Sequence, residues 1–379
     1  MAYDKVVDSA SLDSKLTQVA DAIRTKGNTG ADLQFPSGFI SAIQAIQTGT
    51  ELKIVVSVTS GAAVTATKGS NTVSGTSVNG VCTIIVPEAG TWSVKATLGG
   101  ETSNTKSVTF TDSYDVTLAF VSPTLNDNDW AKIREVSDKG DGANYWSIGD
   151  CKEVTLNGKV GLLSLSNYTT YAFIIGFNHN SSLEGVNRIH FQFAKTALSG
   201  GTDVALCDTY YGSNGSINGF EMNHGNGSYG GWKSSHMRTE ICGTSLTSYS
   251  GTILAVIPAA LRAALKPVTK YTHNSGNNVS ASAVTATTDY FFLLSEYEVL
   301  GISTNSNGYE RDKQVQYSYY SAGNSKIKYN HGAISTAIFY WTRSPSVNAE
   351  DCFMVVMSNG ASLNYKADIS SGFAPGFCV

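Results

Sequence analysis

Along residues 1–50 apolar side chains recur with a helical period. Leu12, Leu16, Val19 and Ile23 fall at i, i+4, i+7 and i+11, one stripe of a 3.6-residue repeat, and Ser11 is a residue type suited to an N-cap. Gly27 and Gly30 break the pattern, and Pro36 suits the first turn of a second predicted helix carrying Phe39, Ile40, Ile43 and Ile46 before Thr48-Gly49-Thr50. Two short helices with one apolar face each cannot bury those faces alone, so residues 1–50 read as an attachment and oligomerisation segment, or as a cap on the next domain.

From Leu52 to Phe120 the period becomes two. Cys82, Ile84 and Val86 alternate, then Trp92, Val94 and Ala96, then Tyr114, Val116, Leu118 and Phe120, with turns such as Pro87-Glu88-Ala89-Gly90 and Gly99-Gly100 between them. This predicts an all-β sandwich over residues 51–121. Residues 122–379 mix both periods in an α+β pattern. Strands are expected at Ala172–Phe177, Arg188–Phe193 and Phe353–Met357. Asn126-Asp127-Asn128-Asp129 has the oxygen density of a calcium loop but lacks the glycine and glutamate such a loop needs, so capping of a helix through Trp130, Ile133 and Val136 is expected instead. Pro258 opens a short helix with Leu261 and Leu265, closed by Lys266-Pro267. Ser295-Glu296-Tyr297-Glu298 forms a capping box, with Gly301 placed to end its helix. Long Gly/Ser/Asn loops between these elements suit function carried on loops over a scaffold.

Composition narrows the function classes. Across 379 residues, 26 basic and 30 acidic side chains leave a net charge of -4, which supplies no basic surface for nucleic acid. No run reaches the 18 or more apolar residues of a membrane span, and Met1-Ala-Tyr-Asp-Lys is not followed by a signal-peptide core, so synthesis in the cytosol without membrane insertion is expected. Six scattered cysteines without a CxxC pair (Cys82, Cys151, Cys207, Cys242, Cys352, Cys378) read as reduced, buried, small apolar residues.

Candidate chemistry is sparse. The histidines (His179, His190, His224, His236, His273, His331) show no HExxH or HxH spacing, so no metal site is expected. There is no GxSxG elbow and no phosphate loop, and Asn223-His224-Gly225-Asn226-Gly227 reads as loop composition. Acidic residues are too dispersed to single out a general acid/base pair; Glu350 and Asp351 are adjacent and on a strand would point to opposite faces. Neither a catalytic residue nor a cofactor is expected.

Certain blocks resemble known families. Gly90-Thr-Trp-Ser-Val-Lys-Ala96 resembles the Ig-like and carboxypeptidase-regulatory-like modules that serve as spacers in surface and virion proteins. The order Trp130-x-x-Ile133, Tyr145-Trp146-Ser-Ile-Gly149-Asp150, Val154-Thr-Leu-Asn-Gly158, Gly230-Gly231-Trp232 through Met237-Arg238, Pro258 through Lys270, Phe292 through Glu298, Tyr340-Trp341-Thr-Arg343-Ser344-Pro345 and Gly372 through Phe377 is similar to an uncharacterised domain common in Firmicutes and their phages. That domain looks like the C-type-lectin-like fold shared with formylglycine-generating enzymes and with the variable proteins of diversity-generating retroelements. Tyr3-Asp4-Lys5-Val6-Val7-Asp8-Ser9, Ala20-Asp21-Ala22-Ile23-Arg24 and Phe35-Pro36-Ser-Gly38-Phe39 resemble the N-terminal segment of phage tail proteins.

The resemblance implies a virion protein of three parts: 1–50 for attachment to other tail proteins, 51–121 as spacer, and 122–379 as a C-type-lectin-like receptor-binding domain. It implies a homotrimer, by analogy with tail fibres, that binds a bacterial surface protein or glycan. Trp232, Arg238, Glu298, Trp341 and Arg343 are expected to be framework, a buried Arg343 needing a carboxylate such as Glu298 or Glu296. By analogy with diversified C-terminal regions, Val347, Asn348, Ala349, Glu350, Asp351, Met357, Asn364, Tyr365, Lys366, Asp368 and Ile369 are the expected ligand surface, a mixture of side chains seen in adaptable paratopes. The chain departs from the family at Ala374, where an arginine usually precedes the proline. The rivals are a bacterial surface adhesin or lectin, and an enzyme of the formylglycine-generating or glycan-cleaving kind, which would need a reactive cysteine or a carboxylate pair in a cleft.

Overall fold

Two compact units meet in sequence between Phe120 and Val121. The computed structural model describes residues 9–27, 30–45, 51–110, 113–206, 220–225, 227–274 and 279–379. The chain is a multidomain mixed α/β protein built mostly of small sheets with a few helices.

In the first unit, helix Ser9–Gly27 begins before Ser11, which is therefore interior to the helix and not its cap. Its buried stripe is Leu16, Ala20 and Ile23, packed with Leu33, Phe39 and Ala42, whereas Leu12 and Val19 are 45% and 48% exposed. The second helix, Ser37–Ala45, is the reason. At about 1.5 Å per residue its nine residues span roughly half the length of the first helix, and they cover the side centred near Ala20. Phe39 is buried, Ile40 and Ile43 are exposed, and Ile46 lies outside the described residues.

Eight strands follow: β1 (Lys53–Ser57), β2 (Ala63–Lys68), β3 (Asn71–Thr76), β4 (Val81–Ile85), β5 (Gly90–Leu98), β6 (Glu101–Thr102), β7 (Lys106–Phe110) and β8 (Ser113–Thr117). One sheet runs β4–β1–β8, with β1 and β8 parallel; the other runs β3–β2–β5–β6, with β7 also paired to β5. Period-two alternation turns Ile54, Val56, Val64, Ala66, Cys82, Ile84, Trp92, Val94, Ala96, Val108 and Val116 into one core shared by both sheets. Trp92 is fully buried, and its indole N–H donates to the Glu88 carbonyl at 3.1 Å.

The second unit contains β9 (Cys151–Val160), β10 (Leu163–Phe177), β11 (Ile189–Lys195), β12 (Val268–His273), β13 (Val284–Asp289), β14 (Phe291–Phe292), β15 (Lys328–Asn330), β16 (Ala333–Ile338), β17 (Tyr340–Pro345), β18 (Cys352–Val356), β19 (Ser362–Lys366) and β20 (Gly376–Cys378). The main sheet is antiparallel in the order β14–β20–β11–β10–β9, so the last strand of the chain inserts between two earlier ones. Phe191, Phe193, Phe291 and Phe377 stack on it, with Trp130 edge-on to Phe191. Pairs β12–β13 and β15–β16 and the triplet β17–β18–β19 complete the sheets. Asp129 caps helix Trp130–Lys139 by accepting from the Lys132 amide at 2.7 Å, and Gly140 closes it at φ 79°. The reciprocal Ser295/Glu298 capping box holds helix Glu296–Leu300, which Gly301 ends at φ 72°.

Trp92→Ala is expected to cost the sandwich about 3–5 kcal/mol, as a large core ring is lost. Calorimetry of the full chain should show a transition moved to lower temperature; a thermogram unchanged from the parent would contradict this account of the core.

Candidate functional site

Strands buried on both faces force any charged residue they carry to find partners inside the protein. Arg343 on β17 and Lys270 on β12 are both fully buried, and both reach Glu298 of the capped helix. The Arg343 guanidinium grips both carboxylate oxygens of Glu298, with Nη2 to Oε1 at 2.9 Å, and donates from Nε to Thr272 Oγ1 at 3.0 Å and from Nη1 to the Leu293 carbonyl at 2.8 Å. Lys270 Nζ donates to Glu298 Oε1 at 3.0 Å, to Glu184 Oε2 at 2.7 Å and to the Tyr317 hydroxyl at 2.8 Å. Of the two carboxylates offered to Arg343 by the sequence, Glu298 is the partner. Glu296 instead accepts from the Thr304 and Ser306 amides and from the Ser306 and Ser362 hydroxyls.

Burial would raise the Glu298 carboxyl, but the Arg343 and Lys270 charges overturn that and hold it well below its usual range. Glu184, buried and sharing only Lys270, is pushed up to about 7. Around it His179 stacks on Tyr317 with ring centroids 3.6 Å apart, and His190 Nδ1 lies 3.1 Å from the Tyr317 hydroxyl and 3.2 Å from Cys378 Sγ. Burial and then the Lys270 charge depress His179 to about 3; burial and the neighbouring His179 depress His190 strongly. These histidines are not isolated, as their sequence spacing suggested. The ligand atoms of His179 sit with those of Glu184 and Glu298 in a cluster that could surround a cation, and the Lys270 ammonium already stands between the two carboxylates. With no exposed face, this constellation is a scaffold.

Trp232 and Arg238 form a second anchor through Asp289, a residue that no sequence pattern singles out. The buried Asp289 carboxylate accepts from Trp232 Nε1 at 2.9 Å, Arg238 Nε at 2.6 Å and Thr287 Oγ1 at 2.6 Å. The preceding Gly231 adopts φ 53° where a Cβ would come within 2.0 Å of the His273 carbonyl, which explains the Gly-Gly-Trp sequence.

The residues 347–369 lie on the turns and outer strand of the β17–β18–β19 sheet. Glu350 and Asp351 occupy the turn before β18 and not a strand, so the expected splitting of their side chains to opposite faces does not apply. At this end Asn348, Glu350 and Lys366 are exposed, Val347, Ala349, Asp351, Asp368 and Ile369 are half-buried, and Lys366 Nζ lies 3.6 Å from Asp351. Asn348 donates to Asn305 at 2.6 Å, and Glu350 accepts from the Tyr229 hydroxyl at 2.6 Å. Met357 lies just past the far end of β18, about 17 Å of strand from Cys352, and does not join this group. Tyr365 differs from its neighbours because side chains alternate: Asn364 and Lys366 share one face, and Tyr365 turns to the other, its ring against Phe339 at 5.6 Å and Trp341 at 5.7 Å. Trp341 is itself buried, its indole donating to the Phe220 carbonyl at 2.6 Å. Tyr365 is thus part of the support as well as of the expected ligand surface.

Beside this surface, Glu221, His224 and His236 offer ligand atoms within 4.8 Å of one another. Cys82, Cys151, Cys242, Cys352 and Cys378 are unpaired and buried; Cys207 lies outside the described residues. Burial pushes Cys151 up to about 11 and Cys378 up to about 12, and burial with the Asp351 hydrogen bond pushes Cys352 up to about 12, so these thiols are poor nucleophiles. No helix among the described residues is long and apolar enough to cross a membrane.

Within this second unit, residues 221–379 match a family described as a domain of unknown function (DUF6273), a match over less than half of the 379 residues. The matched segment contains Trp232, Arg238, Glu298, Trp341 and Arg343 together with the whole 347–369 surface. No curated protein matches the chain.

His179 Nε2 is buried without a hydrogen-bond partner, so His179→Phe, which keeps the stacking on Tyr317, is expected to fold. Because the folded pKa of His179 lies below the unfolded value near 6.5, its contribution to stability is complete above that value and is lost as pH falls toward 3. Relative to the parent, His179→Phe should therefore gain about 2 kcal/mol between pH 6.5 and pH 5. Denaturant titrations at the two pH values check this, and parallel pH dependence in both proteins refutes it.

Proposed function

We propose that the chain is a phage tail-tip or tail-fibre receptor-binding protein that recognises a bacterial surface protein or glycan without chemistry. In this reading residues 51–120 are an Ig-like spacer, and residues 121–379 are a C-type-lectin-like domain that presents a surface of the kind retroelements diversify. The observation that carries the proposal is the contrast across β19: Tyr365 is seated on Trp341, while Lys366, Glu350 and Asn348 stand exposed at the adjoining turn. A rigid support carrying an adaptable polar rim is the arrangement of a binding surface whose loops can vary without unfolding the scaffold. The return of the last strand into the main sheet, next to β11, supports the C-type-lectin-like assignment. Buried thiols of raised pKa, and buried carboxylates already bonded to Lys270 and Arg343, favour binding over catalysis. The virion is the place where such a protein acts, after synthesis in the host cytoplasm.

Charge reversal at Glu350 and Lys366 is expected to weaken adsorption of the purified protein to host cells while shifting stability by only about 0.5 kcal/mol, because both side chains are exposed. Trp341→Ala should instead cost about 3–5 kcal/mol of stability. Added calcium should leave adsorption unchanged, as the oxygens of Asn126–Asp129 are used in capping and turn hydrogen bonds. Exposed-residue variants that adsorb normally would remove the site from this surface.

The exposed apolar side chains Phe35, Ile40 and Ile43 support self-association through the N-terminal helices, which the same reading takes as a homotrimer that also attaches to other tail proteins. Light scattering of the full chain should give a trimer, and Ile40→Asp with Ile43→Asp should dissociate it. A monomeric parent at micromolar concentration would end the idea.

A further inference from the structure

We propose that Glu221, His224 and His236 bind a divalent first-row transition-metal ion such as Zn²⁺, with solvent filling the remaining coordination position. The three residues come from two segments that the fold pins together. On one side, the Met222 and Asn223 amides donate to the Ala367 carbonyl at 2.9 and 3.0 Å, fixing the irregular 221–224 segment against the chain just after β19. On the other, His236 and Glu240 share one face at i and i+4 where the chain enters the helical turn Met237–Cys242. The two segments are tied by the Met237 amide to the Met222 carbonyl at 3.1 Å and by the His236 amide to Asn223 Oδ1 at 3.1 Å.

The side chains that result form a compact donor set. Glu221 Oε1 lies 2.6 Å from His224 Nδ1 and the two imidazole centroids are 3.7 Å apart, while Glu240 lies at the other nitrogen of His224, 3.9 Å from its Nε2. Two imidazoles and one carboxylate suit zinc and its neighbours, whereas calcium prefers an all-oxygen set. In a tetrahedral site with bonds of about 2.0–2.2 Å the donors would stand roughly 3.3–3.5 Å apart, so the ligand atoms need only small side-chain movements to close on an ion. The ion would enter between Glu221 Oε1 and His224 Nδ1 in place of their direct contact.

The contrast with the buried cluster sharpens the inference. There Lys270 supplies a cation between carboxylates; here no lysine or arginine is paired with Glu221 or Glu240 in any ion pair among the described residues. Glu221 is itself buried, while His224 is half-exposed and His236 and Glu240 line an open surface cleft, so an ion has a path from solvent. Sequence spacing could not reveal the site, because His224 and His236 belong to different segments and no HxH or HExxH pattern links them.

The test is titration of the full chain, freed of metal, with ZnCl₂ in a calorimeter, together with the visible spectrum of its Co²⁺ form. Saturable binding of one ion per chain, with the absorption bands of a low-symmetry nitrogen and oxygen site, is expected. His224→Ala and His236→Ala should each weaken zinc binding by more than about tenfold, and His331→Ala should bind as the parent does. His224→Ala leaves the buried Glu221 carboxylate without this hydrogen-bond partner and should melt below the metal-free parent, so its affinity is read at a temperature where circular dichroism shows the variant folded. No saturable binding, or unchanged affinity in a folded His224→Ala, overturns the proposal; host-cell adsorption enters neither outcome.

Discussion

The interaction on which the second unit depends is the sharing of Glu298 between Arg343 and Lys270 in an interior closed to water. Each charge would be costly to bury alone, and removing one partner of such a group typically costs about 3–5 kcal/mol because the remaining charge is stranded. The constraint is geometric as well as energetic. It ties β17, β12, the helix Glu296–Leu300 and the short helix Ser181–Glu184 to one point, and Tyr317 extends it to the histidines under the main sheet. A unit made of small sheets has few long ladders to fix how its pieces are placed, and these charge-assisted bonds supply that fixing.

The surface above β17 inherits its order from that strand. Arg343 fixes the strand, Trp341 on the same strand is buried against the Phe220 carbonyl, and Tyr365 packs on Trp341 from β19. Each step passes rigidity outward by one layer, until Asn348, Glu350 and Lys366 are reached and the side chains face solvent. The Asp289 anchor does the same for the 230–238 segment, holding Trp232 and Arg238 with one carboxylate.

Two groups of histidine and glutamate therefore have opposite characters. The His179, Glu184, Glu298 group is sealed and contains its own cation in Lys270. The Glu221, His224, His236 group opens toward solvent next to the candidate recognition surface. Burial and an internal counter-charge, rather than residue type, separate a structural cluster from one able to take a ligand.

Local signals in the sequence were sufficient for most contacts between near neighbours, though not for Ser11, which lies inside its helix. The Ser295/Glu298 capping box, capping within Asn126–Asp129, the turn glycine Gly301, and the alternation that builds the sandwich core all involve neighbours a few residues apart, and the chain alone determined them. The need of Arg343 for a carboxylate was also legible, because an arginine on an otherwise apolar strand must be compensated; that Glu298 and not Glu296 meets it required the tertiary structure. The same is true of the stripe on the first helix, where a partner of nine residues leaves Leu12 and Val19 uncovered, and of Tyr365, which strand pairing turns inward. Lys270 with Glu184, Asp289 with Trp232, and Glu221 with His224 and His236 join segments whose separation along the chain carries no period, so only the folding of those segments onto one another decided which charges meet.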